Sequence, residues 1–174
     1  MLVDSHCHLD YDSLCDDLNA VVARAHAAGI GAMLTISTRL DSFPRVLEIA
    51  ERYDDIWCSV GVHPHEAITE PEVTTSQLIE LSKHPKVIGI GETGLDYYYE
   101  HSPRDLQQNS FRAHIMAARE TGLPVIVHSR NADSDTAEIL CDEYAIGSYS
   151  GLLHCFSSTA QLAEKALEIG FRIS

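Results

Sequence analysis

Imidazole and carboxylate side chains recur in this sequence at one kind of place, the end of a short apolar run. Asp4-Ser5-His6-Cys7-His8-Leu9 follows Leu2 and Val3. Val60-Gly61-Val62 ends at His63, Val87-Ile88-Gly89-Ile90-Gly91 at Glu92, Val125-Ile126-Val127 at His128, and Leu152-Leu153 at His154. Residues two apart on a strand share a side, so His6 and His8 project together and can both reach one cation. Cys7 points the other way and is read as a packing residue. A buried carboxylate is costly unless paired or metal-bound, and Glu92 can bridge two cations through its two oxygens.

Each of these residues also has a plainer reading. The His6-Cys7-His8 triplet alone equally describes core or rim histidines, and Glu92 could pair with Arg130 across the molecule. Metal chemistry is favoured because His6, His8, His128 and His154 occupy equivalent places, and histidine is not a favoured core residue. Pro64 pushes His63 toward an extended conformation, where it either bonds a substrate oxygen or faces solvent. Arg130 either clamps a phosphate in bidentate fashion or pairs with a nearby acid. Asp96 fits an outer partner of a ligand or a turn and cap residue equally well. Gly91 and Gly94 let backbone pass close to the site. His26, His84, His101 and His114 fall on helices or loops and receive no role.

Strand and helix patterns alternate along the chain. Strands are expected at Leu2–Ser5, Met33–Ile36, Ile56–Val62, Val87–Gly91, Pro124–Val127, Gly151–Leu153 and from Phe171 to Ile173. Helical spacing covers Asp12–Gly29, Phe43–Tyr53, Ser76–Ser82, Pro103–Thr121, Thr136–Tyr144 and Thr159–Ile169. Pro103 suits a first turn and Gly122 a stop. Such alternation argues a parallel sheet with helices outside it. An open sheet concentrates its site at one switch point, whereas candidate ligands here lie on five strands, which favours an α/β fold of the (β/α)8 barrel type. A whole barrel needs roughly 250 residues. The 174 residues are therefore expected to form one domain of about six and a half βα units, without the C-terminal strands.

With 45% hydrophobic residues the chain can build a sizeable core, and no run approaches a membrane span. No secretory signal is visible, and five scattered cysteines form no CxxC pair, so a cytoplasmic protein with reduced thiols is expected. The net charge of −14 opposes a broad nucleic-acid footprint. A phosphate substrate would need a local positive site, which divalent cations can supply.

The motifs Val3-Asp4-Ser5-His6-Cys7-His8-Leu9-Asp10, Gly61-Val62-His63-Pro64-His65, Gly91-Glu92-Thr93-Gly94-Leu95-Asp96-Tyr97, Pro124-Val125-Ile126-Val127-His128-Ser129-Arg130 and His154-Cys155-Phe156 stand in order along the chain. Together they resemble the TatD family of metal-dependent deoxyribonucleases. The resemblance implies a TIM barrel of the amidohydrolase superfamily with two divalent cations, magnesium, manganese or zinc. It implies that His6, His8 and Glu92 bind one, that Glu92, His128 and His154 bind the other, and that His63 lies near the scissile phosphate. The implied activity is hydrolysis of DNA phosphodiesters, often from the 3′ end, by two-metal activation of water. Ser157-Ser158 departs from the family's Ser-Gly, and no residue matches the aspartate that the family places at its eighth strand. Competing expectations are a small-molecule hydrolase of C–N or ester bonds, and a non-catalytic or partner-completed chain. A carboxylated lysine often bridges the metals in the former, and no strand end here holds a lysine.

Overall fold

A computed structural model describes residues 1–174. Seven strands alternate with helices: β1 (Leu2–Cys7), β2 (Ile30–Thr35), β3 (Ile56–Val60), β4 (Val87–Asp96), β5 (Val125–Arg130), β6 (Gly151–Leu153) and β7 (Arg172–Ile173). The helices are α1 (Asp12–Cys15), α2 (Leu18–Ala27), α3 (Phe43–Glu51), α4 (Thr75–Leu81), α5 (Arg104–Thr121), α6 (Asp133–Ile146) and α7 (Ala160–Glu168), with a 3₁₀ turn at Pro64–Glu66. The strands pair in sequence order, and every pair is parallel. That winding is the wall of a (β/α) barrel of the TIM type, and β1 and β7 are the two edges of the sheet. No helix is long and apolar enough to cross a membrane.

The helices cover the sheet with the faces their spacing dictates. Phe43, Val46, Ile49 and Ala50 of α3 are buried, as are Phe111, His114, Ile115 and Ala118 of α5. Thr74 caps α4 in a reciprocal capping box with Gln77, and the Thr159 hydroxyl accepts the N–H of Leu162 at the start of α7. Gly122 ends α5 at φ 74°, where its N–H donates to Ala118 O. Pro103 sits one residue outside that helix as its N-cap.

Two expected elements differ by more than a few residues at their ends. The single helix expected at Asp12–Gly29 is broken at Asp16-Asp17, where Asp17 leaves the helical region at φ −134° and ψ 48°. Aspartate competes poorly in helix interiors, and two in succession make a natural break. The strand expected to end at Gly91 continues to Asp96. Its polar tail hid this extension. Between Ile90 and Thr93, two residues of β4, Gly91 and Glu92, stand opposite the single Ile126 of β5, so β4 carries one extra residue there. Gly91 takes φ 133° there, and a Cβ would lie 2.6 Å from Ile126 O.

Candidate metal centre

β1, β3, β4, β5 and β6 deliver their C-terminal ends to one rim, and Glu92 lies at its centre, 3% exposed. Five imidazoles face its carboxylate. Oε2 is 3.1 Å from His6 Nε2 and 3.9 Å from His8 Nε2. Oε1 is 3.2 Å from His128 Nδ1, 2.5 Å from His154 Nε2 and 3.5 Å from His63 Nε2. The two oxygens thus divide the histidines into one set from β1 and another from β3, β5 and β6. One donor atom each from His6, His8 and Glu92 falls within 4.8 Å of the others, as do atoms of His63, Glu92 and His128. His154 stacks on His6 with centroids 3.9 Å apart and planes within 3°. These residues line a cleft of about 890 Å³.

Hydrogen bonding inside the protein does not satisfy this cluster. His6 Nδ1 and His8 Nδ1 are buried without partners, and His154 Nε2 approaches Glu92 without a hydrogen-bonding angle. Ring nitrogens crowded around one carboxylate, several of them without a hydrogen-bond partner, are what a divalent cation takes up. The residues therefore fit a metal. Burial alone would raise the Glu92 pKa, but His128, His154 and His6 outweigh it and hold the carboxyl well below its ordinary range. His8 is shifted down, chiefly by burial. Burial would also lower His128, but Glu92 and Asp96 on either side leave it raised.

Asp96, left between two roles by the sequence, contacts a candidate ligand and also closes a turn. Its Oδ2 lies 3.0 Å from His128 Nε2 and 2.9 Å from His65 Nε2. A ligand imidazole that donates its second N–H to a carboxylate has its other lone pair directed at the metal. Asp96 Oδ1 accepts the backbone N–H groups of Tyr98 and Tyr99, and Gln107 Oε1 accepts that of Asp96. Burial would raise the Asp96 pKa, but Tyr99 N–H, His65 and His128 bring it below the ordinary value.

His63 is set differently from the other histidines. Its Nδ1 accepts the backbone N–H of His65 at 3.1 Å. In the neutral ring the proton then sits on Nε2, which faces the cleft as a donor rather than a lone pair. Burial pushes its pKa down to about 3, so the ring is neutral. Arg130 makes no ion pair with Glu92. Its guanidinium lies over Tyr98 and Tyr99, 4.3 and 4.8 Å from the ring centroids.

His114, given no role by sequence, anchors the approach to His63. Its Nε2 accepts Val62 N–H at 2.9 Å, and its Nδ1–H donates to Ser110 O at 2.7 Å. Complete burial lowers its pKa from 6.5 to about 4. Between those values the unfolded chain binds this proton and the folded chain does not, so stability falls as pH falls through the window. The loss attributable to His114 is at most about 3 kcal/mol. Urea unfolding of chelator-treated protein at pH 7 and pH 4 checks this. The advantage of wild type over His114→Gln should shrink at the lower pH; an unchanged difference would mean the imidazole is not held neutral.

A parallel β/α barrel wall whose strand ends converge histidines on one buried carboxylate is the arrangement of a protein built to hold divalent metal. The chain belongs to the family described as TatD related DNase, whose sequence pattern matches residues 3–174. It is 37% identical over 174 residues to the metal-dependent hydrolase YabD of Bacillus subtilis (strain 168), covering 100% of this chain and 68% of that protein. It is 31% identical over 172 residues to the 3′-5′ ssDNA/RNA exonuclease TatD of Salmonella typhimurium, covering 99% of this chain and 66% of that one. The crystal structure of YJJV, a TatD homolog from Escherichia coli K12, superposes with a TM-score of 0.89 at 30% identity, over 99% of this chain and 66% of that one. The chain thus spans about two thirds of the length of these relatives.

Proposed function

We propose that this chain carries the site of a divalent-metal-dependent phosphodiesterase that shortens single-stranded DNA from its 3′ end. The observation that carries the reading is the division of the imidazoles between the two Glu92 oxygens. On this reading His6, His8 and Glu92 would hold one cation, and Glu92, His128 and His154 would hold the other. When bound, the cations supply a low-pKa water near neutral pH and neutralise phosphate charge. Manganese and zinc suit this imidazole-rich set, and magnesium competes through abundance.

The remaining residues orient and donate. Asp96 takes the Nε2–H of His128 and keeps Nδ1 directed at Glu92. His63 presents Nε2–H to a phosphate oxygen, its tautomer fixed by His65 N–H. Arg130 supplies two parallel N–H donors for a second phosphate oxygen or a neighbouring phosphate. No lysine lines the cleft, which weighs against a carboxylated-lysine centre for C–N bonds. The exonuclease named from Salmonella typhimurium supports a single-stranded nucleic acid as substrate.

The test uses chelator-stripped protein and a 5′-labelled single-stranded oligonucleotide. Added manganese should produce a ladder that shortens from the 3′ end, and chelator should stop it. Manganese-dependent turnover of a small amide or lactone, with the oligonucleotide left intact, would replace this reading with that of a small-molecule hydrolase.

A further inference from the structure

We infer that Tyr98 and Tyr99 form a stacking platform for an unpaired nucleobase next to the metal centre, with Arg130 as the phosphate contact beside it. This rests on the phosphodiesterase reading and deepens it by naming where the substrate's base sits. The two rings are 56% and 49% exposed. They meet edge to face, with centroids 4.7 Å apart. Tyr97, the third of the run, is engaged elsewhere: its hydroxyl donates to Asp135. Tyr98 and Tyr99 have no such hydroxyl partner.

Three observations tie the pair to the reacting centre. Asp96 Oδ1 accepts both of their backbone N–H groups while Oδ2 meets His128, so one carboxylate fixes the platform and a candidate ligand together. The Tyr99 ring lies 5.5 Å from that of His65, which is 4.5 Å from that of His63. Only two imidazoles therefore separate Tyr99 from Glu92. Arg130 also lines a cavity of about 350 Å³ shared with His128 and His154.

The charge narrows the occupant. Acidic residues outnumber basic ones 26 to 12, yet Arg130 pairs with no carboxylate and rests on aromatic faces instead. Exposed rings, Tyr99 backed by a stacked His101, beside a guanidinium that has no carboxylate partner complement a ligand that is both aromatic and anionic. A nucleotide is both. In a duplex the faces of the bases are already stacked, so this platform selects single strands and frayed ends.

Fluorescence anisotropy in chelator at low salt tests the platform apart from catalysis. The probes are a labelled single-stranded oligothymidylate, the same length with abasic sugars at its 3′ end, and a blunt duplex. Wild type should bind the thymidylate more tightly than the other two. Tyr98→Ala with Tyr99→Ala should weaken thymidylate binding about 5- to 100-fold and leave the abasic strand unchanged. Tyr98→Phe with Tyr99→Phe keeps both ring faces and should retain wild-type affinity. Equal binding of the thymidylate and abasic strands by wild type, or equal losses on both in the alanine variant, overturns the proposal. So does absence of measurable thymidylate binding. Base-dependent binding without metal-dependent cleavage would uphold the platform while removing the hydrolytic reading.

Discussion

Glu92→Gln should reduce manganese-dependent nucleotide release by at least about 10³-fold while leaving the protein folded. Losing an outer partner of a ligand costs a metal site about 10- to 100-fold, and a ligand shared by two cations would cost more. Glutamine fills nearly the same space but carries no charge and offers one acceptor oxygen where the carboxylate offers two. One of the two imidazole sets then loses the oxygen it faces. The same change alters acid stability. The Glu92 carboxyl lies well below its ordinary 4.5 in the folded chain, so it stabilises the fold above that pH and the contribution is lost as pH falls through the folded value. The chelator-treated variant should lack that acid-linked loss. Urea unfolding below pH 4.5 measures it, and wild-type-like cleavage by the variant would remove Glu92 from the chemistry.

The second large effect is structural. Gly94→Ala should lower the melting temperature by about 10 °C or abolish soluble folding. Gly94 has φ 129°, and a Cβ there would lie 2.1 Å from His128 O. That neighbour is backbone, paired to β4 in register, and cannot rotate away. The strands must separate, which is the kind of strain that exceeds about 4 kcal/mol, and each kcal/mol moves a chain of this size by about 2–4 °C. The displaced segment carries His128, so metal affinity should fall with stability. Gly122→Ala is the control: φ is 74° but nothing lies within 4 Å, and the cost should be about 1–2 kcal/mol. Similar melting temperatures for the two variants would show that β4 and β5 tolerate separation.

The candidate ligand set was legible because strand chemistry has a short period. His6 and His8 stand two apart, and an apolar run before each of His128 and His154 marks a strand end. The order of strands and helices followed from the same alternation. Glu92 was found as a polar residue after an apolar run, although the strand continues past it. What stayed hidden depends on contacts between distant residues. Asp96 holds His65 and His128 with one oxygen, across 31 and 32 residues of sequence, and no local pattern encodes that. His114 did carry a local signal, since Phe111, His114, Ile115 and Ala118 share a helical face. Its polarity obscured that signal. The pairing of Arg130 with Tyr98 and Tyr99 needs the β4–β5 register, which the extra residue in β4 shifts by one. The Asp17 break between α1 and α2 was readable only as a weakness in the helical pattern.

Whether Glu92 and its histidines form a two-cation centre is read out by a manganese titration of chelator-stripped protein by calorimetry, with melting temperature followed in parallel. Two equivalents per chain should bind, with a rise in melting temperature as the sites fill and loss of one equivalent in a His6→Ala, His8→Ala variant. Saturating each site at about 100 times its dissociation constant should add about 2.7 kcal/mol of stability. No binding, or two equivalents retained in Glu92→Gln at wild-type affinity, would contradict such a centre.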